Sequence, residues 1–338
     1  MNIAVLSDGG WGTALALTLV DNGHATRLWG PFPDYVAELQ RRRENVRFLP
    51  GVSLPAGLCL EADLQRAVAG AELVVLAAPA QYARALLCSL RGIALPAEPL
   101  YVGVAKGIEV SSLLRMSELA QEVLAPRRYA VLSGPSHAEE VARRIPTAVV
   151  AASTQPEAAR VVQKVFMNQT FRVYTSADVV GVELGGALKN VLALAAGVCD
   201  GMGFGDNTKA ALMTRGIAEM ARLGAALGGR AETFSGLSGV GDLIVTCTSR
   251  HSRNRHVGEE LGRGRRLEDI LGEMGGQVAE GVATARSAHQ LARRAGAETP
   301  IIDQVHAALY AGRDPRQAVR DLMSREARPE TDRPSGAG

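Results

Sequence analysis

Apolar and polar positions follow two different periods along this chain, and the change from one to the other divides it. Up to about residue 175, short apolar runs rich in Val, Ile, Leu and Ala alternate with segments of helical spacing. Ile3 to Leu6 predicts a short, fully buried strand, and Thr26 to Trp29 a second. Glu72 to Ala78 predicts a third, stopped by Pro79, which opens a helix over AQYARALLCSL. Leu100 to Ala105, Tyr129 to Leu132, Thr147 to Ala151 and Phe171 to Tyr174 complete the strand-like segments. Short strands alternating with helices predict an α/β domain. From Val179 the pattern is helical, with helices predicted over 181–199, 207–227, 254–262, 267–274, 280–295, 299–311 and 315–326. The chain therefore reads as an α/β domain over 1–176, a helical domain over 177–326 and a tail over 327–338. The tail is polar with two prolines and no periodicity, and is predicted to be disordered.

One helix stands out. Between Glu183 and Asn207 apolar residues fall on more than one helical face, so this helix is predicted to be buried on most sides. It nevertheless carries Lys189, followed by Asn190. A lysine in such a helix either snorkels out from the edge of the core or sits in a cleft where its charge is used. The small residues from Gly181 to Gly186 suit close backbone contact better than helix propensity.

Composition narrows the class. Aromatic residues make up only 4% of the chain, so the core must be built from Ala, Val and Leu. The net charge is +2 with both signs mixed along the sequence, which argues against a nucleic-acid binder. Cys59, Cys88, Cys199 and Cys247 form no CxxC pair, so no disulfide framework is expected and a cytoplasmic, reducing location fits. Neither a signal peptide nor an uninterrupted apolar run long enough to span a bilayer is visible. Cys247 and His251 are four apart, too few ligands for zinc, so no metal is expected.

The candidate chemistry begins after the first strand, in SDGGWGTALA. Gly9 would let the backbone approach a pyrophosphate and Gly12 would let helix and strand pack closely. The helix start, with Gly10 and Trp11, would offer free N–H groups to the anion. Ser7 stands where the G-x-G-x-x-G fingerprint has its first glycine, so a purely structural glycine turn is the alternative reading. The second strand ends in Trp29, Gly30 and Pro31, without the acid or arginine that selects between ribose forms. Asp34 comes late, and Arg41, Arg42, Arg43 and Arg47 form a basic run that usually marks a solvated face. Lys106 follows the fourth strand, at the edge where such sheets bind ligands. Ser136 is positioned to cap the next helix.

At this point the chain resembles the bacterial NAD(P)-dependent glycerol-3-phosphate dehydrogenases, from Ile3 to about Arg325. The resemblance is carried by GGWGTALA (9–16), NVRFLPG (45–51), VAKGIE (104–109), LSGPSHAEE (132–140), GVELGGALKNVLALAAG (181–197), SGLSGVGDLIVTCTS (235–249), SRNR (252–255) and VAEGVATA (278–285). It implies a Rossmann-type N-terminal domain, an all-helical C-terminal domain and an active site between them. It implies reduction of dihydroxyacetone phosphate to sn-glycerol 3-phosphate for glycerophospholipid synthesis, with NAD or NADP as cofactor. Lys189 would be the proton donor in reduction, with Lys106 and Asp242 beside it. Gly134, Ser136, Asn190, Thr246, Ser252, Arg253 and Asn254 would meet the substrate. Gly9, Gly10, Trp11, Gly12, Pro31, Lys106, Ala138, Arg253, Val278 and Glu280 would meet the cofactor. The family often has Ser at the position of Gly10 and a basic or polar residue at Pro31, so cofactor preference stays open, as does the net pKa shift of Lys189. The helical domain offers a possible homodimer surface. Two rivals remain: a 3-hydroxyacid dehydrogenase, and a non-catalytic NAD(H)-sensing protein.

Overall fold

The computed structural model describes residues 1–93, 95, 98–327 and 329–330. The expected disorder of the tail falls mostly on residues outside that set.

Eight strands form one sheet in the order β10-β9-β8-β7-β6-β1-β2-β5. They are β1 (Asn2–Leu6), β2 (Ala25–Trp29), β5 (Cys59–Glu61), β6 (Leu73–Leu76), β7 (Leu100–Gly103), β8 (Tyr129–Ser133), β9 (Thr147–Ala152) and β10 (Phe171–Ser176). Every pairing is parallel except β8 with β9, which makes the sheet mixed. A small hairpin of β3 (Glu44–Asn45) and β4 (Leu49–Ser53) lies outside it. The hairpin and β5 are absent from the strands expected above. β3 and β5, of two and three residues, are too short to show a period, and five-residue β4 (LPGVS) carries a proline and a glycine and buries only Leu49 and Val52.

The central parallel strands β1, β6 and β7 are buried on both faces, which is why they read as unbroken apolar runs, whereas β2 and β10 nearer the edges alternate. Val5, Val75, Val102 and Val149 pack with Leu15 and Leu19 of helix Gly10–Asp21 and with Phe166 of helix Pro156–Phe166. β6 and β7 end two residues earlier than their apolar runs. There the chain leaves the sheet, and the residues beyond the ladder border the cleft described below.

The rest of the described chain is helical around Val179–Gly201, which is buried along almost its whole length. It is long and apolar enough to cross a membrane, yet 83% of its most apolar window is buried inside the fold. Leu188, Val191 and Leu192 pack with Met220, Phe234 and Ile302 of the surrounding helices. Its N-terminus is held against the sheet domain by Glu183, which accepts from Arg115 at 2.5 Å and from the Ser117 backbone N–H at 2.8 Å. The glycine-rich stretch before residue 248 folds into a 3₁₀ turn over Ala231–Ser235, a π-helical turn over Leu237–Gly241 and a helix over Asp242–Thr248. This sets the Asp242 carboxylate at a helix N-terminus, where the backbone dipoles favour a negative charge.

Candidate active site

A cleft opens where the carboxyl ends of β1, β6 and β7 face the helical half. Its wall includes Ser7, Gly9, Gly10, Trp11, Gly12, Lys106, Ser136, Ala138, Lys189, Asn190, Thr246, Ser252, Arg253, Asn254, Val278 and Glu280. The fold thus gathers side chains that lie up to 273 positions apart, from Ser7 to Glu280.

The first part of the cleft is the glycine turn. A Cβ on Gly12 would fall 2.1 Å from the Ser7 carbonyl oxygen, so the helix can approach β1 this closely only without a side chain. A Cβ on Gly10 would fall 2.6 Å from the Phe48 carbonyl oxygen, which explains why no serine stands there. Ser7 adopts φ 127°, a conformation side-chain-bearing residues rarely take, so it keeps the glycine-like path of the turn at a strain cost. Helix Gly10–Asp21 begins at Gly9 with no side-chain cap, which leaves its first N–H groups for an anion. The Trp11 indole N–H and Glu280 Oε2 are buried without hydrogen-bond partners among the described residues. An uncapped helix start, a glycine cradle and orphaned polar atoms fit a dinucleotide.

The second part is a cluster of charges. Lys106 Nζ donates to Asp242 Oδ2 at 2.8 Å, to the Gly134 carbonyl at 2.8 Å and to Ser136 Oγ at 3.1 Å. Lys189 Nζ lies 3.0 Å from Asp242 Oδ1 and donates to Thr246 Oγ1 at 2.7 Å. Burial pushes the Lys189 ammonium down to about 8, against the pull of Asp242, and the charge of Lys106 adds to the lowering. This resolves the opposing effects that sequence left open. Burial acts to raise the Asp242 carboxyl, but the two ammonium groups outweigh it and hold it below its usual range.

Behind these charges runs an amide chain. Asn190 Nδ2 donates to the Lys106 carbonyl at 2.9 Å, Asn254 Nδ2 donates to Asn190 Oδ1 at 2.8 Å, and Asn254 Oδ1 accepts from the Gly281 N–H at 2.9 Å. Four segments are fixed against one another by these bonds. Ser252 caps helix Arg253–Gly262 by accepting from the Arg255 N–H at 3.2 Å. Arg253 borders the cleft at that helix start, and no partner holds its guanidinium among the described residues.

One expectation is corrected. Ser136 does not cap the helix Ala138–Val141; its hydroxyl turns inward to Lys106 and the Gly134 carbonyl. Gly134 and Asp242 sit behind the wall as partners of the lysines, outside the cleft lining. Pro31 is exposed past the end of β2, next to Gly30. Sequence reasoning singled out neither Phe48, His137 nor Gln277, and weighed His251 only as a metal ligand; all four are on the wall. Phe48 and His137 fall inside quoted motifs and Gln277 directly precedes one. Burial, then the charges of Lys189 and Lys106, lowers the His137 pKa.

Together the fold and this cleft define a nicotinamide-dependent oxidoreductase. Two family models match the chain: the N-terminus of NAD-dependent glycerol-3-phosphate dehydrogenase over residues 2–159, and its C-terminus over 178–320. The chain belongs to this family. It is 51% identical over 335 residues to a Geobacillus kaustophilus protein named glycerol-3-phosphate dehydrogenase, NAD(P)+, covering 98% of this chain and 96% of that one. A Chlorobium phaeobacteroides protein of the same name is 49% identical over 333 residues, covering 98% and 99%. A crystal structure of glycerol-3-phosphate dehydrogenase from Coxiella burnetii superposes with a TM-score of 0.92 at 38% identity, covering 96% of this chain and 99% of that one.

Proposed function

We propose that this protein interconverts dihydroxyacetone phosphate and sn-glycerol 3-phosphate, with residues 1–176 holding the dinucleotide and 177–326 supplying most of the substrate site. The nicotinamide, when bound, supplies or receives the hydride. The protein must then hold a proton donor against the substrate oxygen and anchor a phosphate some distance away.

The observation that carries this reading is the donor count of the two lysines. An ammonium has three donors. Lys106 spends all of them on Asp242, Gly134 and Ser136, whereas Lys189 spends two and keeps one for a ligand. Lys189 is therefore the residue suited to polarise the carbonyl oxygen and give it a proton, and Lys106 fixes the shared carboxylate. Charge complementarity supports the phosphate end. Arg253, at the start of a helix whose first residues line the cleft, suits a dianion. Binding that remote phosphate helps position the carbonyl. Four free thiols, with Cys199 and Cys247 pushed by burial up to about 11 and about 12, suit a reducing compartment such as the cytoplasm.

The test is initial rates with dihydroxyacetone phosphate and each reduced nicotinamide. Replacing Lys189 with alanine is expected to lower kcat by roughly 10²-fold or more, the scale of a lost general acid. Replacing Arg253 is expected to raise KM for the phosphorylated substrate. A Lys189→Ala enzyme with near-normal turnover, or an Arg253→Ala enzyme with unchanged KM, sinks the corresponding assignment.

A further inference from the structure

We propose that Asp8 selects the cofactor: its carboxylate receives the 2′-hydroxyl of the adenine-side ribose and repels a ribose carrying a 2′-phosphate. The protein then prefers NAD(H) to NADP(H). This inference rests on the reading of the cleft as a nicotinamide dinucleotide site.

In sheets of this kind the adenine-side ribose meets the carboxyl end of the second strand, where an acidic side chain takes its 2′-hydroxyl. Here β2 ends at Trp29, and the next residue is Gly30. The missing carboxylate arrives from the neighbouring turn. Asp8 lies two residues past the end of β1 and lays its side chain against Gly30. A Cβ on residue 30 would fall 2.2 Å from Asp8 Oδ2 and 2.8 Å from its Cγ. Gly30 is what allows the acid to occupy that place.

The carboxylate has no structural use there. Asp8 is 4% exposed, and its Oδ2 is buried without a hydrogen-bond partner among the described residues. The contacts that hold this turn to the hairpin come from its backbone instead. The Asp8 carbonyl accepts from Asn45 Nδ2 at 2.7 Å and from Thr13 Oγ1 at 3.3 Å, bonds that any residue at this position could accept. An unpaired buried acceptor is destabilising unless a ligand supplies the donor. Burial raises its pKa to about 6, opposed by its own N–H and by Arg47, so at neutral pH it remains mostly an anion.

The neighbouring charges point the same way. Glu61, paired with Trp29 at the end of β5, spends Oε1 on the N–H groups of Ala62 and Asp63. The arginines that could neutralise a 2′-phosphate are committed elsewhere. Arg43 donates to the carbonyls of Leu54, Pro55 and Leu58, Arg42 pairs with Glu38, and Arg47 donates to the Gly275 carbonyl. Arg41 lies in the last turn of helix Pro33–Arg42, away from the helix start that follows β2. A phosphate placed beside Asp8 would thus meet a carboxylate, with Arg47, whose guanidinium is held by the Gly275 carbonyl, as the cation that reaches it; the carboxylate is the repulsive device for discrimination.

The experiment is calorimetric titration of the full chain with NADH and with NADPH, alongside kcat/KM for each. Wild type, Asp8→Asn and Asp8→Ala are compared. Wild type is expected to bind NADH more tightly than NADPH. Asp8→Ala is expected to bind NADH roughly tenfold more weakly, the scale of a lost hydrogen bond to a charged group, and NADPH no more weakly than before. Asp8→Asn, of the same shape, is expected to narrow the preference by removing the charge alone. Equal or tighter NADPH binding by wild type, or an unchanged ratio in both variants, overturns the role of Asp8. Binding of neither cofactor to wild type would instead overturn the dinucleotide reading beneath it.

Discussion

Two lysines share one carboxylate in this cleft, and their different hydrogen-bond occupancy separates their roles. Lys189 is buried and its pKa is lowered to about 8, with burial the main cause. The sign of the pH dependence follows. Reduction needs the ammonium, so kcat/KM for dihydroxyacetone phosphate is expected to fall as pH rises through about 8. Oxidation needs the free amine, so kcat/KM for glycerol 3-phosphate is expected to rise over the same range. Paired pH–rate profiles check this, and a profile whose inflection survives in Lys189→Ala would assign it to another group. The lysine itself was legible in sequence, as the single lysine of an apolar helix. Its pKa was not, because desolvation and the Asp242 distance exist only once the helices pack.

Among elements, the contact between Val179–Gly201 and Arg253–Gly262 sets where Asn190 and Asn254 meet behind the cleft. Gly197 and Gly201 on one helix, and Gly258 and Gly262 on the other, lie at i, i+4 spacing. A Cβ on Gly197 would fall 1.9 Å from the Arg255 carbonyl oxygen, and one on Gly258 would fall 2.0 Å from that of Leu194. The backbones touch, and that closeness brings Asn254 to Asn190. Gly197→Ala is expected to cost about 1–3 kcal/mol, the scale of overpacking, with a raised KM for phosphorylated substrate. Urea unfolding and steady-state kinetics would read both. A variant with unchanged stability and KM would show that the helices can separate without consequence. The helices were visible in the sequence pattern, and the small residues of Gly181–Gly186 were read as close-contact surface. Which helix they and the later glycines would meet was not visible, since periodicity marks a buried face without naming its partner.

At the scale of the molecule, the sheet domain and the helical half are joined through the site itself. Lys106 comes from the end of β7, and Asp242 and Lys189 from the helices. Glu280 reaches across to accept from the Ala80 N–H at 2.8 Å, and Arg47 donates to the Gly275 carbonyl at 2.9 Å. Stability and the charge of Lys189 are therefore coupled at Asp242. Asp242→Asn is expected to lower stability by about 3 kcal/mol, as when one partner of a buried ion pair is removed. It should also move the Lys189 inflection to lower pH, because the anion that holds its charge is gone. Chemical unfolding followed by pH–rate profiles tests both, and an unshifted inflection would show that Asp242 does not set the Lys189 charge.

The sequence by itself determined the alternation of strands and helices, the glycine turn after the first strand, and the residue types able to do the chemistry. Those are local properties, written in spacing and in the conformational needs of single residues. Only the tertiary structure decided that Ser136 turns to Lys106 instead of capping a helix, that Asp242 is shared by two lysines, and that the Asp8 carboxylate fills the space left by Gly30. Each of these depends on the distance and desolvation between groups far apart in the chain. Packing sets both.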